Sequence, residues 1–122
     1  RIAIFPRYVT DVQYGDFHIR GNVPDSHYRH KSADGSWEFF INAQGFRDTS
    51  DVSYEKPEDV LRILVLGDSF TIGYEVEQDQ TYSAVLERYL GKYGIDAQVI
   101  NAGMSGNSTA EALVFLENEG LK

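Results

Sequence analysis

The sequence predicts an α/β protein with a parallel sheet, preceded by a β-rich segment. Three observations predict it. Ile63-Leu64-Val65-Leu66 is a continuous apolar run, the mark of a strand buried on both faces. Tyr82, Val85, Leu86, Tyr89, Leu90 and Tyr93 recur at the i, i+3, i+4, i+7 spacing of an amphipathic helix. A second short strand over Ala97 to Ile100 and a second helix opening at Ser108 follow. The order strand, helix, strand, helix is that of parallel strands joined by right-handed crossovers.

The chain divides into a β-rich N-terminal extension and linker, residues 1–58, and the first part of an α/β domain, residues 59–122. In the extension, Ile2 to Phe5 reads as a short strand ended by Pro6. Gly15-Asp16, Gly21-Asn22 and Pro24-Asp25 are turn signals. His27 to Lys31 and Ser36 to Ile41 flank Ala33-Asp34-Gly35, which predicts a hairpin. In its second arm Trp37, Phe39 and Ile41 alternate with Glu38, Phe40 and Asn42, giving one apolar face. These aromatics, with Tyr28 and Phe46, are expected to build the hairpin's own core rather than a sugar-stacking platform. Asp48 to Asp59 is polar and reads as the linker. In the second half, Gly94 stands where the first helix should end. Ser108-Thr109-Ala110-Glu111 fits a capping box, which explains the Asn107-Ser108-Thr109 triplet better than glycosylation does. That helix is expected to reach about Glu119, with Gly120 past its end.

Composition narrows the function. Lys and Arg number 11 against 19 Asp and Glu, a formal net charge of −8. Such a surface argues against sequence-independent nucleic-acid binding and against anionic membranes, because phosphate contacts need a basic patch. The absence of Cys excludes a disulfide framework, a zinc–thiolate site and a cysteine nucleophile. No apolar run approaches the roughly 20 residues of a membrane-spanning helix. The chain opens with Arg1 and is expected to start at a processing boundary, with any export signal upstream.

Two small-residue loops follow the two strands of the α/β half: Gly67-Asp68-Ser69-Phe70-Thr71 and Asn101-Ala102-Gly103-Met104-Ser105-Gly106-Asn107. Open parallel sheets bind ligands at the carboxyl ends of their strands. If the strands are neighbours, both loops face one crevice. A serine hydroxyl held on such an edge suits acyl transfer, which also needs a base and donors for the developing oxyanion. The bland alternative is a serine that only caps the next segment. Gly67-x-Ser69-x-Thr71 lacks the second glycine of a nucleophile elbow, so an α/β-hydrolase is not the first choice.

Leu66-Gly67-Asp68-Ser69-Phe70-Thr71 resembles the first block of the SGNH (GDSL-type) hydrolases, and Val99-Ile100-Asn101-Ala102-Gly103-Met104-Ser105-Gly106 resembles their second. Asn42…Gly45-Phe46-Arg47-Asp48 resembles a segment that precedes the serine block in many bacterial members with an N-terminal extension. The resemblance implies a three-layer α/β/α fold with a five-stranded parallel sheet, here truncated. It implies ester hydrolysis or acyl transfer through an acyl-serine; no cofactor and no metal are expected. Ser69 carries over as nucleophile and first oxyanion donor, and Gly106 as second donor through its N–H. Gly103 is the alternative second donor. Asp68 is expected to brace the loop, and Asn107 to support it. The third block's asparagine and the Asp-x-x-His that supplies the base have no counterpart here. His18, His27 and His30 all precede the serine. The chain is therefore expected to be the amino-terminal part of a longer hydrolase, inactive alone, whose sheet needs further strands or another copy to cover it. Acetylated carbohydrate is the expected substrate among small acyl esters. An extracytoplasmic location, exported or anchored upstream, is the expected site.

Other readings compete. Gly103-x-x-Gly106 before a helix offers N–H groups to a nucleotide or flavin phosphate, but no Walker lysine stands there. The β-rich half can be a non-catalytic carbohydrate-binding or interaction module. Asp25, His27 and His30 resemble metal ligands, though such pairs are more often surface residues. Glu75, Glu77 and Asp79 read as a solvated acidic stretch. Arg47 has two candidate roles: a substrate carboxylate, or a pair with Asp48 or Asp68.

Overall fold

A glycine free to turn left-handed opens the first hairpin. In the computed structural model, which describes residues 8–122, Gly15 (φ 58°) and Asp16 join β1 (Val9–Tyr14) to β2 (Phe17–Asn22). The strands pair antiparallel from Val9↔Asn22 to Tyr14↔Phe17. The strand expected over Ile2 to Phe5 lies outside the described residues. Gly21-Asn22 is not a turn but the end of β2. A Cβ on Gly21 would stand 2.6 Å from Val12 Cγ2, so the glycine serves close cross-strand packing. The chain turns later, at Pro24-Asp25, where Asp25 has φ 56°.

The second hairpin, β3 (His27–Ser32) and β4 (Gly35–Phe40), closes through Ala33-Asp34. The apolar alternation is seen. Tyr28, Phe39 and Ile41 are buried and form a core with Ile72, and Trp37 packs on its margin. Tyr28 and Phe39 thus build a core that reaches into the second half of the chain, whereas Phe40 is exposed on the other face and Phe46 packs instead against Phe115. The opposite face carries charge: the Glu38 carboxylate accepts from Arg29 Nε at 2.6 Å and bonds His27 Nε2. Phe40 stacks on the His27 ring.

These bonds, first His27's and then Arg29's, hold the Glu38 carboxyl below its ordinary 4.5. A carboxyl whose folded pKa is depressed stabilises fully above its unfolded value, and that stabilisation fades as pH falls through the folded one. Acid below about 4.5 should therefore loosen this hairpin, and Glu38→Gln should flatten the response. The fluorescence of Trp37, the one tryptophan, reads this directly. Identical acid titrations of both proteins would refute the assignment.

The apolar run forms β5 (Leu61–Gly67), which pairs in parallel with β6 (Ala97–Gly103) from Leu61↔Ala97 to Gly67↔Gly103. The strand order expected from the sequence is observed, with two parallel strands where the resemblance implies five. Residues 62–67 are half-buried rather than enclosed on both faces. The reason is that Leu64, Leu66, Ile100 and Ala102 line a large cavity beneath the β1–β2 hairpin.

One turn of helix, α1 (Ser69–Ile72), follows β5, and α2 (Tyr82–Lys92) follows a 3₁₀ turn at Gln78–Gln80. Thr81 Oγ1 caps α2 by accepting from Ala84 N–H. The chain leaves it through Gly94 at φ 75°. Helices α1 and α2 pack on β6. Glu87 of α2 accepts from the Val99 N–H, satisfying a donor on the free edge of β6. The predicted stripe is only partly used. Leu86 and Leu90 are half-buried, whereas Tyr82, Val85, Tyr89 and Tyr93 are exposed.

Helix α3 (Thr109–Phe115) starts at Ser108 with the expected reciprocal bonds: Glu111 N–H to Ser108 Oγ, and Ser108 N–H to the Glu111 carboxylate. It packs on β2 and β5 and ends before the expected Glu119, widening into a π turn at Leu116–Gly120. Asn118 explains the change. Its side-chain amide donates to the Val114 carbonyl at 2.8 Å and competes for the acceptor that an α-helical N–H would take.

Candidate active site

Gly67 and Gly103 end the two parallel strands opposite each other, so the serine turn and the glycine loop leave the sheet side by side. The Met104 N–H donates to the Gly67 carbonyl at 3.0 Å, carrying the pairing one residue past the strands. Asn101, buried in β6, links the loops again. Its Nδ2 donates to the Thr71 carbonyl at 2.8 Å, and its Oδ1 accepts from the Gly103 N–H at 3.0 Å.

Ser69 is the first residue of α1 rather than part of an open loop. Asp68 caps that helix, its Oδ1 accepting from the Phe70 N–H at 3.0 Å. The Asp68 carbonyl accepts from the Thr71 and Ile72 N–H groups. Among the described residues neither the Ser69 hydroxyl nor its N–H has a protein partner; an unpaired N–H belongs to the start of any helix. Ser69 lines a shallow hollow of about 380 Å³ with Phe70, Gly73, Tyr74, Thr81 and Tyr82. Tyr82 donates to or accepts from Thr71 Oγ1 at 2.8 Å.

Gly106 takes φ 79°, which only glycine adopts without strain, and the Arg20 guanidinium lies where its Cβ would stand. Gly103 is confined by backbone: a Cβ there would fall 2.7 Å from Thr71 C and closer still to Ile72 N. Gly103 and Asn107 line the larger cavity, of about 800 Å³, while Ser69 lines the smaller one and Gly106 neither. The single crevice expected from the loops is thus two hollows flanking adjacent loops.

Because backbone cannot swing aside, Gly103→Ala should push the serine turn away from β6. Overpacking of this kind costs about 2–3 kcal/mol. A lowered urea midpoint with an unchanged slope checks it; a midpoint equal to that of the wild type would mean the loops yield freely.

Arg47 corrects an expectation. It meets neither Asp48 nor Asp68 and is not open to a substrate, being 3% exposed. Its Nη1 donates to the carbonyls of Ile72 (3.0 Å) and Gly73 (2.6 Å), and its Nη2 to those of Val76 (2.9 Å) and Glu38 (3.1 Å). The guanidinium stacks on the Phe39 ring at 3.7 Å. Burial lowers its pKa, but arginine has ample margin and stays charged. Arg47 therefore binds the second hairpin to the end of α1, the turn that carries Ser69. Asn42 folds the chain to deliver it, its Oδ1 accepting from the Gln44 and Phe46 N–H groups. Asn22 adds a link from the first hairpin, donating to the Gly45 carbonyl at 3.0 Å and, weakly, to that of Gly103 at 3.4 Å.

The remaining candidates disperse. His27 is held by Glu38, and His30 packs edge-on against Tyr74, 3.8 Å from Glu75. No group of three or more His, Cys, Asp or Glu side chains suited to a metal occurs among the described residues. Among those residues no helix is long and apolar enough to cross a membrane. Arg20 and Asn22 were invisible to motif reasoning, because nothing near them in sequence marks the loop they touch.

No family model matches the chain. Among curated proteins it is similar to an arylesterase of Vibrio mimicus, 36% identical over 55 residues that make up 45% of this chain and 28% of the arylesterase. Among solved structures it is similar to AlinE4, described as an SGNH-hydrolase family esterase, and to a mutant of that esterase. Each is 39% identical, with a TM-score of 0.45, over 51% of this chain and 33% of the other. The chain spans no more than a third of the length of these relatives.

Proposed function

We propose that this chain, related over part of its length to the SGNH-hydrolase esterases, carries the nucleophile and two oxyanion donors of a serine ester hydrolase. The observation that carries the reading is the Gly67↔Gly103 pairing, which sets a half-buried, unbonded Ser69 hydroxyl beside a glycine loop. In the reaction, Ser69 Oγ attacks the ester carbonyl carbon and gives its proton to a base. The N–H groups of Ser69 and Gly106 receive the negative charge on the carbonyl oxygen. The bond to the alcohol breaks, the alcohol leaves with the proton, and water hydrolyses the acyl-serine.

The base is the missing part. The 122 residues contain no Asp-x-x-His, and the chain matches 28% of the arylesterase. We place the base, the further oxyanion donor and the remaining strands of a three-layer sheet in sequence beyond these residues, so that this chain alone is inactive. The substrate is an acetylated carbohydrate and the location extracytoplasmic. Phe70, Tyr74 and Tyr82 around Ser69 support the first, since sugar rings pack on aromatic faces. The resemblance of the N-terminal extension to that of exported members supports the second.

The test is to mix full-length protein with an acetylated oligosaccharide, quench in acid and map the peptides by mass spectrometry. One acetyl group on the peptide that carries Ser69 is the expected result. Deacetylation with that peptide unmodified, or with the acetyl group elsewhere, would overturn it.

A further inference from the structure

In β2, Arg20 stands opposite Asp11 in the antiparallel register. Opposite charges so placed ordinarily pair across the strands. Here Asp11 instead bonds His18, Oδ2 to Nδ1 at 2.7 Å, and Arg20 lies against the glycine loop. Its Cζ is 3.2 Å from the position a Gly106 Cβ would take, with Nη1 closer still.

The other arginines of the described residues are engaged. Arg29 is held by Glu38, Arg47 by four carbonyls, Arg62 by Gln98 and the carbonyls of Ser53 and Tyr54, and Arg88 by the Asp79 carbonyl. Arg20 alone among them makes neither hydrogen bond nor ion pair with any described residue, and it is exposed. In a chain of net charge −8 this is not for want of carboxylates. Arg20 also lines the large cavity with Gly103 and Asn107, a hollow that Ser69 does not line.

We propose that Arg20 is a specificity residue for the Ser69 reaction, binding an ionised carboxylate of the ester substrate beside the Gly106 loop, in the hollow next to the one that Ser69 lines. A guanidinium presents two parallel N–H donors to a carboxylate, and the resulting charge-assisted bonds are about twice as strong as neutral ones. A single carboxylate suits the site better than a polyanion, which the acidic surface repels. The proposal rests on the ester-hydrolase reading. It needs only ester hydrolysis at Ser69, not the acetyl group, and narrows the esters taken to those whose acyl or alcohol part carries one negative charge.

Two probes of equal chain length separate the claims: the 4-nitrophenyl monoester of succinic acid and 4-nitrophenyl butyrate. In the full-length protein, Arg20→Gln should lower the succinyl-to-butyryl ratio of kcat/KM by about tenfold or more. Arg20→Lys should restore part of it, and added salt should erode the wild-type ratio. A ratio unchanged by Arg20→Gln would overturn the proposal while leaving the hydrolase reading intact. No Ser69-dependent hydrolysis of either ester would instead overturn that reading. A measurement without turnover then decides Arg20: the ¹⁵N–¹H shift of the Gly106 amide during titration with succinate. Movement in the wild type that is lost in Arg20→Gln supports carboxylate binding, and equal behaviour of the two proteins overturns it.

Discussion

Ser69→Ala should lower kcat/KM of the full-length protein toward an acetyl ester by at least about 10³-fold. Removing a nucleophile from a machinery that works as a unit costs up to about 10⁶ in kcat, and the oxyanion donors retain a residual rate. The substitution should scarcely disturb the fold. The hydroxyl has no partner among the described residues, and α1 is capped through Asp68 Oδ1 and the Asp68 carbonyl rather than through Ser69. A matched pair of measurements, initial rates on 4-nitrophenyl acetate and a thermal melt, gives the decisive contrast. Activity that survives in Ser69→Ala at an unchanged melting temperature would show that the serine only begins a helix.

Arg47→Met should behave in the opposite way, with a large loss of stability. Methionine fills much of the same volume but offers no donor to the carbonyls of Glu38, Ile72, Gly73 and Val76. A buried acceptor left without its donor costs about 1–3 kcal/mol, and four carbonyls lose one here. That is a large part of the 5–15 kcal/mol that holds a typical domain together. Lysine should rescue little, because a point charge cannot serve four acceptors spread around a planar fork. Urea unfolding of the three proteins checks this, and a Met variant within about 0.5 kcal/mol of the wild type would refute the clamp. The loss should extend to activity at temperatures where the variant is still folded, since the clamp holds the end of the turn that carries Ser69.

These two residues mark the boundary between what was legible and what was not. Ser69 could be found because its signal is local: a glycine and an aspartate after an apolar strand, ahead of a second small-residue loop. Arg47 could be seen as part of a motif, yet its partners could not be named. They lie 9 to 29 residues away in sequence, and three of the four are on the far side of β5. Arg20 carried no signal at all.

Local signals suffice for the second hairpin, the order of the parallel strands, the span of α2 and the start of α3. Each depends on side-chain alternation, helical periodicity or a cap, all read within a few residues. Tertiary structure alone decided that Gly21 is a packing glycine, that the stripe on α2 stays largely exposed and that α3 widens early. It also decided that the two loops flank separate hollows and which arginine is buried and which is free. Those outcomes depend on which distant surfaces meet, and on where a buried donor or acceptor must find its partner once water is excluded.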